Sequence, residues 1–145
     1  MNKSVLLILT CLIILSGCKT NEEIKIEQQI LSIEKEFGSV PEMDGNTPKD
    51  PRLLEELILK IKYDQPSKLK LKYIGYEGAI GMEYIMYENN KIFITQTNGK
   101  DYISSFSCEN IEKIEAQYED ETYDEYYFIG CIAGDEKRFI TRVIK

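Results

Sequence analysis

Hydrophobic and polar positions along the 145-residue chain follow three different rhythms. Val5 to Leu15 is almost purely apolar, a run of about eleven residues against the roughly twenty that a helix needs to cross a bilayer. From Glu22 to Phe37 the apolar positions Ile26, Ile30, Ile33 and Phe37 recur three and four residues apart, the spacing of an amphipathic helix. Gly38 to Pro51 is rich in Gly, Pro, Asn and Asp and breaks that helix. A stronger helix follows. Asp50 can cap its free amides and Pro51 suits its first turn. Leu53, Leu54, Leu57, Ile58 and Ile61 form one apolar face, while Glu55, Glu56, Lys60 and Lys62 mostly face water. Asp64-Gln65-Pro66-Ser67 ends it.

Beyond Ser67 the period becomes two. Leu69, Leu71 and Tyr73 alternate with Lys68, Lys70 and Lys72, which predicts a half-buried strand with a basic outer face. Gly75 to Gly78 turns the chain, and Ile80, Met82, Tyr84 and Met86 alternate along the next strand. Asn89-Asn90 predicts a tight hairpin, because Asn tolerates positive φ. Ile92 and Ile94 belong to a strand reaching Thr97, and Asn98-Gly99 turns again. Ile111 to Tyr118 and Tyr123 to Cys131 read as a hairpin closed by the acidic turn at Glu119 to Thr122. A turn at Ala133 to Glu136 and a last strand from Phe139 to Ile144 complete the pattern. The expectation is an α+β fold: one N-terminal helix packed on an antiparallel sheet of about five or six strands.

The apolar leader ends in Leu15-Ser16-Gly17-Cys18, which resembles the lipobox of bacterial lipoproteins. Lys3 supplies the positive charge that precedes such a core. The resemblance implies cleavage after Gly17 and a diacylglyceryl group on the thiol of Cys18. One acyl chain binds a membrane marginally; two or three anchor stably. An ordinary secretory signal, or an uncleaved anchor with Cys18 incidental, is the alternative. The implied organisation is a signal peptide over 1–17, a lipid-anchored tether over 18–49 that is helical in part, and an α+β domain over 50–145. The 22–37 helix either stays within the tether or packs on the domain or on a partner.

Composition narrows the chemistry. The chain carries a net charge of −7, and its leader holds only Lys3, so the mature part is more acidic still. Such a domain is repelled by anionic lipid headgroups and is a poor ligand for nucleic acid, which needs basic patches. Without histidine there is no Ser-His or Cys-His pair and no His-based zinc site, although catalysis by carboxylates stays open. Of four cysteines, Cys11 leaves with the leader and Cys18 takes lipid. Cys108 and Cys131 remain, an even pair in an oxidising compartment, read as a disulfide with two free thiols as the alternative. Closing so short a loop contributes about 3 kcal/mol on the chain-entropy account.

A helix containing "LLEELI", then "KLKLKYIGYEGAIGMEYIMYENNKIFIT", then "CENIEKIE" and a strand ending "YYFIGC" resemble a family of small Gram-positive lipoproteins, the domain of unknown function family 4362. That family places a strand "IRIVxYTxEG" before a "YDGxxIxYTxD" hairpin and two later cysteines. Leu69 to Gly78, Tyr87 to Asn98, Cys108 and Cys131 fill those places, from about Pro51 to Cys131. Gly75-Tyr76 stand where the family has Thr, and Asn98-Gly99 replace its acidic position. The resemblance implies an exported, anchored protein with a cysteine pair, and it lends no activity.

Four groups of residues could carry chemistry. The run Tyr118 to Tyr127 packs five carboxylates together, yet it lacks the EF-hand order and reads plainly as a solvated hairpin tip. Tyr73, Tyr76, Tyr84, Tyr87, Tyr102, Tyr118, Tyr123, Tyr126 and Tyr127 suit recognition of proteins or sugars, or simply build a sheet. Lys68, Lys70 and Lys72 could meet an anionic wall polymer or guard an edge strand. Glu83 and Glu88 could pair as acid and base, but an acidic chain offers many such pairs. The expectation is a non-enzymatic binding or interaction module, without cofactor or metal. It is held by the lipid on Cys18 at the outer face of the cytoplasmic membrane and meets an envelope protein or a cell-wall ligand. The rivals are an inhibitor or immunity-type protein blocking an exported enzyme or toxin, and a carboxylate-based surface hydrolase.

Overall fold

The computed structural model describes residues 20–46, 48, 50–99, 102–132 and 136–145. The leader with Cys11, the lipidation site Cys18 and most of the turn at Ala133 to Glu136 lie outside the described residues. Helix α1 spans Asn21–Glu36 and opens with a capping box. Thr20 Oγ1 accepts from the Glu23 amide at 3.3 Å, and the Glu23 carboxylate accepts from the Thr20 amide at 2.6 Å. The pair satisfies amides that a helix start leaves without partners. Ile30, and Phe37 just past the helix end, are buried, so α1 docks on the fold.

Strand β1 (Glu42–Asp44) runs parallel to β2 (Ser67–Ile74), with helix α2 (Arg52–Lys62) crossing over between them. The Asp50 carboxylate accepts from the Arg52 amide at 3.0 Å, and Pro51 holds the N-cap position beside it. Antiparallel pairing then adds β3 (Ile80–Glu88), β4 (Lys91–Asn98) and β5 (Tyr102–Cys108), giving a five-stranded sheet in the order β1-β2-β3-β4-β5. Strands β6 (Asn110–Tyr118), β7 (Glu121–Ile129) and β8 (Lys137–Ile144) form a second, antiparallel sheet. Two hairpins turn as the residue types predict. Asn89 and Asn90 both take positive φ (50° and 62°), and Gly99 takes 58° after Asn98.

The α+β class holds, but the single meander does not: there are two helices, and the strands divide between two sheets. The division falls at Glu109, the one residue between β5 and β6. The sulfurs of Cys108 and Cys131 lie at bonding distance across this corner, and the Ile132 amide donates to the Ser107 carbonyl beside them at 2.8 Å. The corner turns the small sheet to face the large one. Leu69, Leu71, Ile85, Ile92 and Ile94 meet Tyr126, Phe128 and Ile140 between the layers, with Leu54 and Leu57 of α2 closing one end. Each such aliphatic side chain contributes about 2 kcal/mol through burial.

Strand β3 departs from its simple alternation. Glu83, Ile85 and Tyr87 face the core, whereas Tyr84 faces outward and is covered by α1, its ring 5.3 Å from that of Phe37. A central strand covered on both sides has no solvent face, so period two alone cannot say which set points inward. Strand β2 is not an edge either, because β1 lies outside it. Lys68 Nζ reaches Glu36 at 2.6 Å and lies 4.9 Å from the Phe37 ring centroid. Lys70 Nζ stands 3.5 Å from the Gly38 carbonyl. The lysine row is thus partly tied to the end of α1.

Candidate functional site

Two polar clusters stand out, each built on a glutamate that its strand buries. The first is internal. Glu83, 6 % exposed, projects from β3 toward the gap between the sheets. Its partner strands bring three groups to it. Gln96 on β4 lies directly across the ladder and donates Nε2–H to Oε1. Tyr73 on β2 places its hydroxyl 3.1 Å from Oε2 and 3.2 Å from the Ile140 carbonyl. Arg138 on β8 brings Nη2 to 3.9 Å of the carboxyl, with its guanidinium 4.6 Å from the centroid of Phe106. Burial pushes the Glu83 carboxyl above the usual carboxylate range, against the opposing pull of Gln96, Arg138 and Tyr73. Burial also drives the Tyr73 phenol far up, helped by the neighbouring Glu83. Tyr73 can lie there because residue 45 is glycine: a Cβ at that position would come within 2.4 Å of the ring.

Beside this cluster opens a cleft of about 500 Å³, walled by Phe139 and Ile140 and bounded by Asn46, Gly81 and Asn98. Gly81 sits on the inner face of β3, opposite Tyr73 and Asn98, and leaves that end of the interlayer space unfilled.

The second cluster lies on the outer face of the small sheet. Glu125 on β7, 4 % exposed, accepts from Tyr118 Oη at 2.9 Å and from Tyr127 Oη at 2.7 Å. Arg142, its ladder partner on β8, brings Nε to 3.9 Å. The guanidinium rests near three rings, 5.1 Å from Tyr118, 5.8 Å from Tyr123 and 5.6 Å from Phe139. Lys137 adds a contact over Tyr127 at 4.4 Å, and Tyr127 and Phe139 meet edge to face. Here a single layer of side chains screens the carboxylate, so hydrogen bonds outweigh desolvation. Tyr127 chiefly, then Tyr118 and Arg142, hold Glu125 below the usual range. In return the Glu125 carboxylate pushes Tyr127 up to about 12.

The candidate groups read from sequence come apart in space. In the acidic run, Asp124 is bound by Lys113 at 2.9 Å and Lys145 at 3.2 Å, Glu121 by Tyr123, and Glu125 by its tyrosines. Among the described residues no three such side chains are placed to hold a metal ion. Glu83 and Glu88, five positions apart on one strand, point to opposite faces. The tyrosines divide by use. Tyr84, Tyr87 and Tyr126 are buried, Tyr73 joins the inner cluster, Tyr76 is fully exposed, and Tyr118, Tyr123 and Tyr127 share the outer face. The side chain of Tyr102 lies outside the described residues. Gln96, Arg138 and Arg142 carry no motif. Their one signal is composition, since two of the three arginines in the chain fall on the final strand.

No family model, no curated protein and no solved structure matches this chain. Among the described residues no helix is long and apolar enough to cross a membrane.

Proposed function

We propose that the protein is a lipoprotein, anchored through Cys18 at the outer face of the cytoplasmic membrane, whose folded body is a binding module for an envelope protein. Binding without turnover is the proposed role, and the outer face of β6, β7 and β8 is the proposed contact surface. The carrying observation is that helix α1 covers part of the large sheet's outer face, whereas among the described residues neither helix makes a comparable contact over the small sheet's. That bare face displays Tyr118, Phe139 and Ile144, at 46 %, 45 % and 62 % exposure, around the aromatic-bound Arg142. An exposed antiparallel face ordinarily alternates to polar residues. Tyr, Phe and Arg held rigid are instead the residue types that dominate protein contacts. The same apolar patch favours the second reading, an inhibitor or immunity-type protein seated on an exported enzyme or toxin.

The test is site-directed photocrosslinking of the full chain in cells. A photoreactive residue at position 118 or 139 captures the same discrete species, and Arg142→Ala diminishes that capture. A control probe at the exposed Tyr76 does not capture it. Equal capture at all three positions, or none, sinks the assignment of this face. Cys18→Ser tests the anchor separately: the variant is expected in the soluble fraction after a high-salt wash, and retention with the bilayer overturns the anchored reading.

A further inference from the structure

We propose that the cleft between the two sheets is a binding site for a small molecule bearing a single carboxylate, received by Arg138 over a floor of Glu83, Gln96 and Tyr73. This site lies between the sheets and shares Phe139 with the outer face of β6, β7 and β8, whereas Arg138, Glu83 and Gly81 belong to the cleft and Tyr118 and Arg142 to the outer face, so variants at those positions let each stand or fall without the other.

The argument begins with one proton. The Tyr73 hydroxyl has a single hydrogen and two acceptors in reach, Glu83 Oε2 at 3.1 Å and the Ile140 carbonyl at 3.2 Å. The carbonyl can only accept. If Tyr73 donates to it, the short approach to Glu83 is satisfied when Glu83 itself carries a proton and donates to the tyrosine oxygen. A chain Glu83 to Tyr73 to Ile140 then uses every hydrogen, with Gln96 donating to the other carboxyl oxygen. Burial of Glu83 acts in the same direction, because desolvation favours the neutral acid.

A neutral Glu83 leaves Arg138, among the described residues, without a compensating anion in hydrogen-bond range, since the carboxyl stands 3.9 Å away. The guanidinium is backed by Phe106, and Arg138, its side chain 42 % exposed, lines the cleft. Among the described residues lining the cleft, Glu83 and Arg138 are the charged types and Tyr73 the one other titratable group. β4 contributes the neutral Gln96 and Asn98, and the segment after β1 the neutral Gly45 and Asn46. One unpaired guanidinium fork matches one carboxylate, whereas a dianionic phosphate would find half the charge it needs. The volume, about 500 Å³, suits a ligand of dipeptide or aryl-acid size, and Phe139 and Ile140 offer its body an apolar wall. An incoming anion is repelled by an ionised Glu83, so binding requires the proton to stay and weakens as pH rises.

The test titrates the purified full-length protein with phenylacetate and with N-acetyl-alanyl-alanine, a free acid and a peptide C-terminus, each beside its carboxamide and beside inorganic phosphate. NMR follows the Gly81 amide, the Gln96 side-chain amide and Arg138 Nε–H. At about pH 5 at least one acid gives saturable shifts there and its amide gives none, and the responding acid tells which source of carboxylate fits. Affinity falls as pH is raised through the titration of the buried Glu83, and Glu83→Gln binds with a flat pH profile. Arg138→Gln weakens binding by about tenfold or more, and Gly81→Leu, which fills the cleft from an extended strand position, abolishes it. Amide binding equal to acid, preference for phosphate, or no saturable shift from either acid up to about 10 mM overturns the proposal. So does retained affinity in Arg138→Gln or Gly81→Leu.

Discussion

Glu83 and Glu125 are the same residue type, nearly equally hidden, each 3.9 Å from an arginine of β8, with one tyrosine hydroxyl on Glu83 and two on Glu125. Their carboxyls nonetheless move in opposite directions, Glu83 upward and Glu125 downward. The difference lies in what does the hiding. Glu83 is enclosed between two sheets, where removal from water outweighs its partners. Glu125 lies under one layer of rings that also donate two hydrogen bonds, so its charged form is favoured. Accessible surface alone therefore does not tell whether a buried acid is ionised. The clusters also differ in assembly: Glu83 needs β2, β3, β4 and β8 from both sheets, whereas Glu125 needs only neighbouring strands of one.

That contrast can be broken from the assembly side first. Replacing both Cys108 and Cys131 by Ser is expected to lower stability by about 3 kcal/mol, measured by urea denaturation. The loosened corner should broaden the Gln96 side-chain NMR signals more than the Tyr127 ring signals. A uniform response of both clusters would show that the corner does not control the inner one. Next in size, Gly45→Ala drives a methyl into the Tyr73 ring and should cost about 1–3 kcal/mol, again disturbing the inner cluster alone.

Smaller and more telling is the pH dependence of two isosteric changes. Glu125 has a lowered pKa, so its contribution is present above the ordinary value of 4.5 and is lost as pH falls through its folded pKa. Glu125→Gln should therefore destabilise the protein at neutral pH by about 1 kcal/mol, with the deficit vanishing in acid. Glu83 has a raised pKa, so the native state loses stability as pH climbs from 4.5 through the folded value. Glu83→Gln should match the parent in acid and become relatively more stable toward neutral pH. Thermal unfolding across pH distinguishes the two, and parallel profiles would refute the contrast. The smallest effect is spectroscopic. Phenolate absorbance should show Tyr127 titrating near 12, and Glu125→Gln should bring it back toward the ordinary 10.

Much of the scaffold was readable from local pattern. The apolar spacing of Leu54 and Leu57 and the Asn89-Asn90 turn follow from residue type and spacing, and the approach of Cys108 to Cys131 from the count of cysteines left beside Cys11 and Cys18. The division into two sheets was not, because the corner at Glu109 contains neither Gly nor Pro and the strand before it, Tyr102–Cys108, has no clear alternation to mark it. Nor was the inner cluster legible. Glu83 looks like a solvent position in an alternating strand until α1 is known to cover the other face of β3. Arg138 reaches it from the far end of the chain, through a pairing of sheets that no local period encodes. Tyr118 and Tyr127 were visible as part of a dense acidic stretch, but the arginine that organises them stands on a neighbouring strand.

For a chain acylated at Cys18, the Thr20–Glu23 capping box leaves almost no leash. Lys19 and Thr20, fully stretched, span about 7 Å. The first turn of α1 would then be held at the lipid, and the exposed turns before Ile30 would set the distance to the sheets. A chain so anchored would meet only what is already at the bilayer or is delivered there.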